Sequence, residues 1–367
     1  MSNNLKGNPV EGFAEKSREA AVEGIVLLKN EGNVLPLTED DKISVFGRPM
    51  IEYYRSGTGS GGAVNVEYAT NILDGFENSN LNFNKKIVED YKEWLKDHPF
   101  DNGGGGWACE PWFQKDMEIT AEYAKEQAQS TNKAIYIIGR TAGEDKDNAN
   151  WVGSYLLTDE EKENLKNITE AFENVCIVLN VSNIIDLKWI NDEQFKGHIK
   201  SVVIVWQGGM EGGNSVADVL SGKVTPSGKL PDTIAYNIED YPANDNFGNE
   251  LTNLYKEDIY VGYRYFETFA PEKVQFEFGF GLSYTTFDIE TVSADADDEK
   301  ITLEVKVTNT GDKFSGKEVV QVYYEAPQGA LGQPARQLCA YEKTENLAPG
   351  QSQTLKITFA INGIASY

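Results

Sequence analysis

Residues 134–181 read AIYIIGRTAGEDKDNANWVGSYLLTDEEKENLKNITEAFENVCIVLNV. The segment opens and closes on continuous apolar runs, AIYIIG and VCIVLNV, with a helical pattern over 158–172 between them. Strands that are apolar throughout, rather than in alternation, belong to a sheet buried on both faces, the usual setting of parallel strands. Strand, helix, strand in that order is the repeating unit of an α/β layered domain. Working outward, ISVFG at 43 and SVVIVW at 201 repeat the strand signal, and 67–78, 84–97, 116–129 and 211–221 repeat the helical one. The expected fold is an α/β sandwich with a mostly parallel sheet. Upstream, EGFAEKSREAAVEGIVLLK at 11–29 has apolar residues at helical spacing and predicts one helix, stopped by Asn30, Gly32 and Pro36.

The texture changes near residue 282. KITLEVKVTNT, KEVVQVYYEA, RQLCAYEKTEN and QTLKITFAI alternate, with Gly, Pro and Asn turns between them, as in a small antiparallel β-sandwich. About four strands are legible where a sandwich of the immunoglobulin or fibronectin kind has roughly seven, so this part reads as incomplete. The expected division is 1–282, including a hairpin linker from about 241, and 283–367.

The 58 acidic residues outnumber the 33 basic ones, for a net charge of -25. Such a chain repels phosphate backbones and anionic lipid, so neither nucleic acid nor a membrane surface is an expected partner. No run of about 18 apolar residues is present. Cys109, Cys176 and Cys339 form neither a metal spacing nor a disulfide framework, which points to a reducing, cytoplasmic setting. Only His98 and His198 are available for histidine chemistry, and no histidine follows Ser215 in GGNSVAD, as a hydrolase elbow there would require. No metal or cofactor is expected.

SGTGSGG at 56–62 contains a GxGxxG of Gly57, Gly59 and Gly62. A dinucleotide loop should follow its strand at once, but RPMIEYY intervenes, so a loop that shapes a pocket competes with that reading. Glu144, Asp145 and Asp147 crowd the end of the AIYIIG strand, where open α/β sheets bind ligands. A carboxylic acid beside aromatics can have its pKa raised and act as a general acid. Trp107, Trp112, Trp151 and Tyr155 could supply flat faces for sugar rings. An acidic surface turn with Trp151 in the core is the plainer alternative.

Several motifs, in order, resemble family 3 of the glycoside hydrolases, the β-glucosidase family. SREAAVEGIVLLKNEGNVLPL looks like the opening helix of its α/β sandwich domain, and SGTGSGGAVNVEYATNILDGF like its Gly-rich loop. QGGMEGGNSVADVLSGKVTPSGKLPDT is similar to a late strand–helix segment. LYKEDIYVGYRYFET and FEFGFGLSYTTF resemble the hairpin leading into a fibronectin type III-like domain. Members often carry an EGxDR-like segment, which reads E-D-K-D-N here. The resemblance implies Glu144 as the general acid/base and Asp147 as the family's substrate-site Asp, with Asp145 where Gly is common and Asn148 where Arg is common. It also implies that Gly57, Gly59, Ser60 and Gly61 bring backbone close to the sugar and that Trp107 and Trp151 contact it.

The family's nucleophile is an Asp in an SDW-like motif on a (β/α)8 barrel. No SDW is present, and DLKW at 186–189 does not match it. The resemblance therefore implies the front part of a domain-inverted, retaining β-glucosidase that cleaves terminal β-D-glycosides. This chain would supply the acid/base half of the site, with the barrel as its partner domain. A non-catalytic carbohydrate-binding or interaction protein built from the same domains is the alternative.

Overall fold

The computed structural model describes residues 10–365 except Ala63, Lys196, Glu250 and Leu331. Contacts divide the chain after Val224. The first unit runs α1 (Phe13–Gly24), β1 (Val26–Asn30), β2 (Ile43–Phe46), α2 (Ile72–Asn78), α3 (Lys85–Asp97), α4 (Ala121–Ala128), β3 (Lys133–Gly139), α5 (Asp159–Ala171), β4 (Val175–Asn180), β5 (Ile199–Ile204) and α6 (Gly212–Leu220). Its strands form one sheet in the order β1-β5-β4-β3-β2. β2 with β3, β3 with β4 and β4 with β5 pair in parallel. Every residue of β2 and β4 is buried, as continuous apolar runs require of a sheet covered on both faces.

One expectation is corrected. The helix read over 11–29 ends at Gly24, and Val26–Asn30 is an edge strand antiparallel to β5. Only Val22 of α1 is buried, whereas Ile25, Val26, Leu27 and Leu28 are all buried. Four successive apolar residues cannot share one face of a helix, but they fit a strand covered on both sides.

Two helices of this unit meet backbone to backbone. A Cβ on Gly75 would overlap the carbonyl of Gly213, and one on Gly213 would overlap the carbonyl of Asn71. Neither obstacle is a flexible side chain. Gly213→Ala should therefore destabilise the fold by about 3 kcal/mol or more, at the upper end of overpacking costs. Chemical denaturation checks this, and a wild-type midpoint would show that α2 and α6 can part freely.

The second unit begins at Thr225. β6 (Ile234–Ala235) pairs antiparallel with β7 (Val274–Phe276), and α7 (Tyr263–Phe269) lies between them in sequence. The hairpin expected from about 241 is thus not local: its early limb is 234–235, and the YRYFETF stretch is helical. Phe266, Ala235 and Ala270 make a small core there. Then come β8 (Phe287–Ala296), β9 (Lys300–Asn309), β10 (Val319–Tyr324), β11 (Gln337–Lys343) and β12 (Ser352–Ala360). They form two antiparallel sheets, β12-β9-β8 and β10-β11. Val305, Val307, Val320, Leu347, Leu355 and Ile357 fill their core. β8 is a strand beyond the four read from sequence. It is an edge strand with mostly exposed side chains, so its apolar alternation is faint.

The sheet order positions the candidate site. β2 and β3 are parallel neighbours, so the chain leaves both at the same end of the sheet. The segment after β2 carries the Gly-rich loop, and the segment after β3 carries Glu144.

Candidate active site

The two segments go on pairing beyond the strands. Thr58 and Gly143 form a parallel bridge, with the Thr58 N–H donating to the Ala142 carbonyl at 3.0 Å. Thr58 Oγ1 donates to the Glu144 carbonyl at 3.2 Å. Gly143 and Lys146 exchange backbone hydrogen bonds of 3.1 and 3.0 Å, closing a tight turn in which Asp145 has φ 58°. Glu144 is held at the exposed tip. Its Oε2 accepts from the Ser60 N–H at 2.9 Å and from the Ser60 hydroxyl at 2.6 Å.

The Gly loop serves this contact. Gly59 has φ +75°, and a Cβ there would lie 2.8 Å from Glu144 Oε2 and overlap its Cβ. A Cβ on Gly57 would lie 2.6 Å from the Ala142 carbonyl oxygen. These glycines admit the Glu144 loop. Gly61 faces open space. The loop also lacks the strand-to-helix form of a dinucleotide site: residues 59–61 make one 3-10 turn, and the next helix starts at Ile72.

Beside the latch is a cleft of about 550 Å3 lined by residues that include Tyr54, Arg55, Gly57, Phe100, Trp107 and Glu110. Trp107 is 55% exposed, and its Nε1 donates to Asp145 Oδ2 at 3.1 Å. Trp112 Nε1 donates to the Asp147 carbonyl at 3.0 Å, and Lys146 Nζ lies 4.6 Å from the Trp112 ring centre. Trp151 is exposed and meets Trp112 edge-on, with ring centres 5.5 Å apart. The aromatics thus brace the acidic turn through Asp145, Lys146 and Asp147, with Trp107 also walling the cleft. Tyr155 is buried and offers no face to a sugar, a correction to the aromatic set. Sequence reading missed Thr58 and Arg55. A bridge between two loops leaves no local pattern.

Hydrogen bonds from the Ser60 hydroxyl, then from its N–H, hold the Glu144 carboxyl below the usual carboxylate range. This corrects the expectation of a pKa raised by aromatic surroundings: Glu144 is exposed, and both donors favour its charged form. Ser60→Ala should move the Glu144 midpoint upward, since one stabiliser of the charged form is lost. A carbon-13 NMR titration of the carboxyl checks this, and an unmoved midpoint would remove Ser60 from the role.

Comparison with known proteins places the chain. The glycosyl hydrolase family 3 C-terminal domain matches residues 25–284, and the fibronectin type III-like domain matches 318–367. A beta-glucosidase of Ruminococcus albus is 50% identical over 355 residues, covering 97% of this chain and 37% of that protein. Beta-glucosidase A of Butyrivibrio fibrisolvens is 40% identical, covering 96% of this chain and 46% of that protein. The chain thus spans less than half the length of either relative. The crystal structure of a beta-glucosidase from Paenibacillus barengoltzii matches with TM-score 0.97 at 57% identity, over 98% of this chain and 39% of that one. That of beta-glucosidase 3B from Thermotoga neapolitana with alpha-D-glucose matches with TM-score 0.89 at 33% identity, over 98% and 50%. With its parallel sheet, its loops joined at the strand ends and these matches, the chain belongs to glycosyl hydrolase family 3, as that family's C-terminal domain followed by fibronectin type III-like strands.

Proposed function

We propose that the chain supplies the acid/base half of a retaining β-glucosidase site acting on terminal β-D-glycosides, with Glu144 as the general acid/base. The observation that carries this reading is the exposed Glu144 carboxyl, fixed by Ser60 at the ends of β2 and β3 beside an open cleft. The relatives named beta-glucosidase support the reaction class. The nucleophile belongs to a (β/α)8 barrel lying in the length by which those relatives exceed this chain.

Retention requires two carboxyl groups about 5–5.5 Å apart. Glu144 protonates the leaving oxygen while the barrel's carboxylate attacks the anomeric carbon. Glu144 then takes a proton from water as water displaces the sugar from the glycosyl-enzyme. The Ser60 donors suit the second step, where Glu144 must be charged. For the first step, a carboxylate so close raises the pKa of Glu144 by like-charge repulsion. That repulsion ends once the nucleophile is esterified, so the pKa falls when the base is needed. Trp107 and Arg55 line the cleft. Replacing Glu144 with alanine, in this chain joined to a relative's remaining length, is the test.

A further inference from the structure

Arg140 is where β3 has just ended and the Glu144 segment begins. Its guanidinium is 3% exposed. Nη1 and Nη2 fork onto Oε1 and Oε2 of Glu161, both at 2.6 Å. Nη1 also donates to the Gly139 carbonyl at 2.8 Å. Nε donates to the Ser154 carbonyl at 3.2 Å, and Nη2 to the Leu156 carbonyl at 3.4 Å. All five N–H donors of the group are therefore used. Glu161 in turn belongs to the capping box that starts α5: its Oε2 accepts from the Thr158 N–H at 2.8 Å, and its own N–H donates to Thr158 Oγ1 at 3.0 Å.

A buried ion pair is a poor device for stability alone, because apolar residues of the same size commonly hold a core as well without the desolvation cost. Apolar side chains cannot hold two carbonyl-bearing segments and a helix-start carboxylate at once. This guanidinium does so, tying the last residue of β3, the returning limb of the loop and the first turn of α5. The segment between those ties carries Glu144.

We propose that Arg140, paired with Glu161, is the positioning residue of the acid/base loop. It pins both ends of segment 141–157 so that Glu144 reaches Ser60 and the cleft. The inference rests on the reading of Glu144 as the acid/base. Ser60 grips the tip of the loop and Arg140 grips its base, so each fixes what the other cannot. Loss of the base lets the carboxyl drift, and a displacement of about 1 Å at a reacting group can cost on the order of 10²-fold in rate.

The test uses R140M/E161M, which removes both charges together, and R140K, which keeps a charge against Glu161 but loses the fork. Hydrogen exchange is measured on the chain, and hydrolysis on the enzyme joined to its remaining length. In R140M/E161M the midpoint of thermal unfolding should stay within about 4 °C of wild type. Exchange at the Lys146, Gly153 and Leu156 amides should rise about tenfold or more, while β3 and β4 amides stay protected. On glucosides with poor leaving groups kcat should fall about 10- to 100-fold, with KM within about twofold and aryl substrates with good leaving groups less affected. R140K should show the same split at smaller size, and it carries the test if the double variant does not fold. Unchanged loop exchange in both variants would overturn the proposal. So would raised exchange with full activity while Glu144→Ala is inactive. If Glu144→Ala itself keeps full activity, the acid/base reading fails instead, and the exchange data still judge the clamp.

Discussion

Glu144→Ala, in the chain joined to the remaining length of a beta-glucosidase relative, should lose about 10²–10⁴-fold in turnover of glucosides with poor leaving groups, the usual contribution of a positioned general acid. The loss should shrink on aryl glucosides whose leaving groups need little protonation. On those substrates the second step becomes limiting, because no base remains to activate water. Added azide should then restore turnover by attacking the glycosyl-enzyme without needing a base, leaving a β-glycosyl azide. This pairing of leaving-group dependence with anion rescue separates a lost acid/base from a disturbed fold. The variant should also fold normally, since the Glu144 side chain is exposed and its hydrogen bonds go to one exposed loop residue. Undiminished rates on disaccharides would take Glu144 out of the mechanism.

Much of the first unit is legible because its physics is local. A strand buried on both faces must be apolar at every position, and β2, β3, β4 and β5 are nearly so. Two strands escaped the same rule. β1 follows Gly24 so closely that its apolar residues extend the helical period of α1, and only the sheet shows that they pair with β5. β8 lies on a sheet edge with most of the acidic DIETVSADA exposed, so it lacks the alternation that betrays a half-buried strand.

The candidate site is legible in its parts and not in its joins. Glu144 stands out as an acid after a buried strand, and SGTGSGG as a loop too rich in glycine to be featureless. That one grips the other depends on β2 and β3 being neighbours, a fact about strand order that neither stretch contains. Tyr155 fails for the complementary reason. It follows closely on the exposed Trp151 and Val152, but it is buried in the core. Arg140 and Glu161 are intermediate. Thr158-x-x-Glu161 is a readable capping box, but the buried guanidinium closing it comes from 21 residues earlier.

Residues 1–367 assayed alone should not hydrolyse an aryl β-glucoside at a rate distinguishable from buffer. Retaining hydrolysis needs an attacking carboxylate on the opposite side of the anomeric carbon from the leaving group, as well as a proton donor. Glu144 can fill only one of these places. The carboxylates nearest to it in sequence are committed elsewhere or ill-placed to attack. Asp145 accepts from the Trp107 indole, and Asp147 holds Trp112 through its backbone carbonyl on the same turn as Glu144. A second carboxylate on that turn would approach the sugar from the same side as the acid. Of the residues lining the cleft, Glu110 carries a carboxylate. Sugar affinity should also be weak, because a pocket shared between domains loses a wall when one is absent. Joining the chain to the remaining length of a relative should restore turnover, with β-glucose as the first product by NMR, the configuration that retention preserves. Retaining hydrolysis by residues 1–367 alone would overturn the division of the site, and Glu110→Gln would then be the first variant to assay, as it removes a carboxylate from the cleft lining.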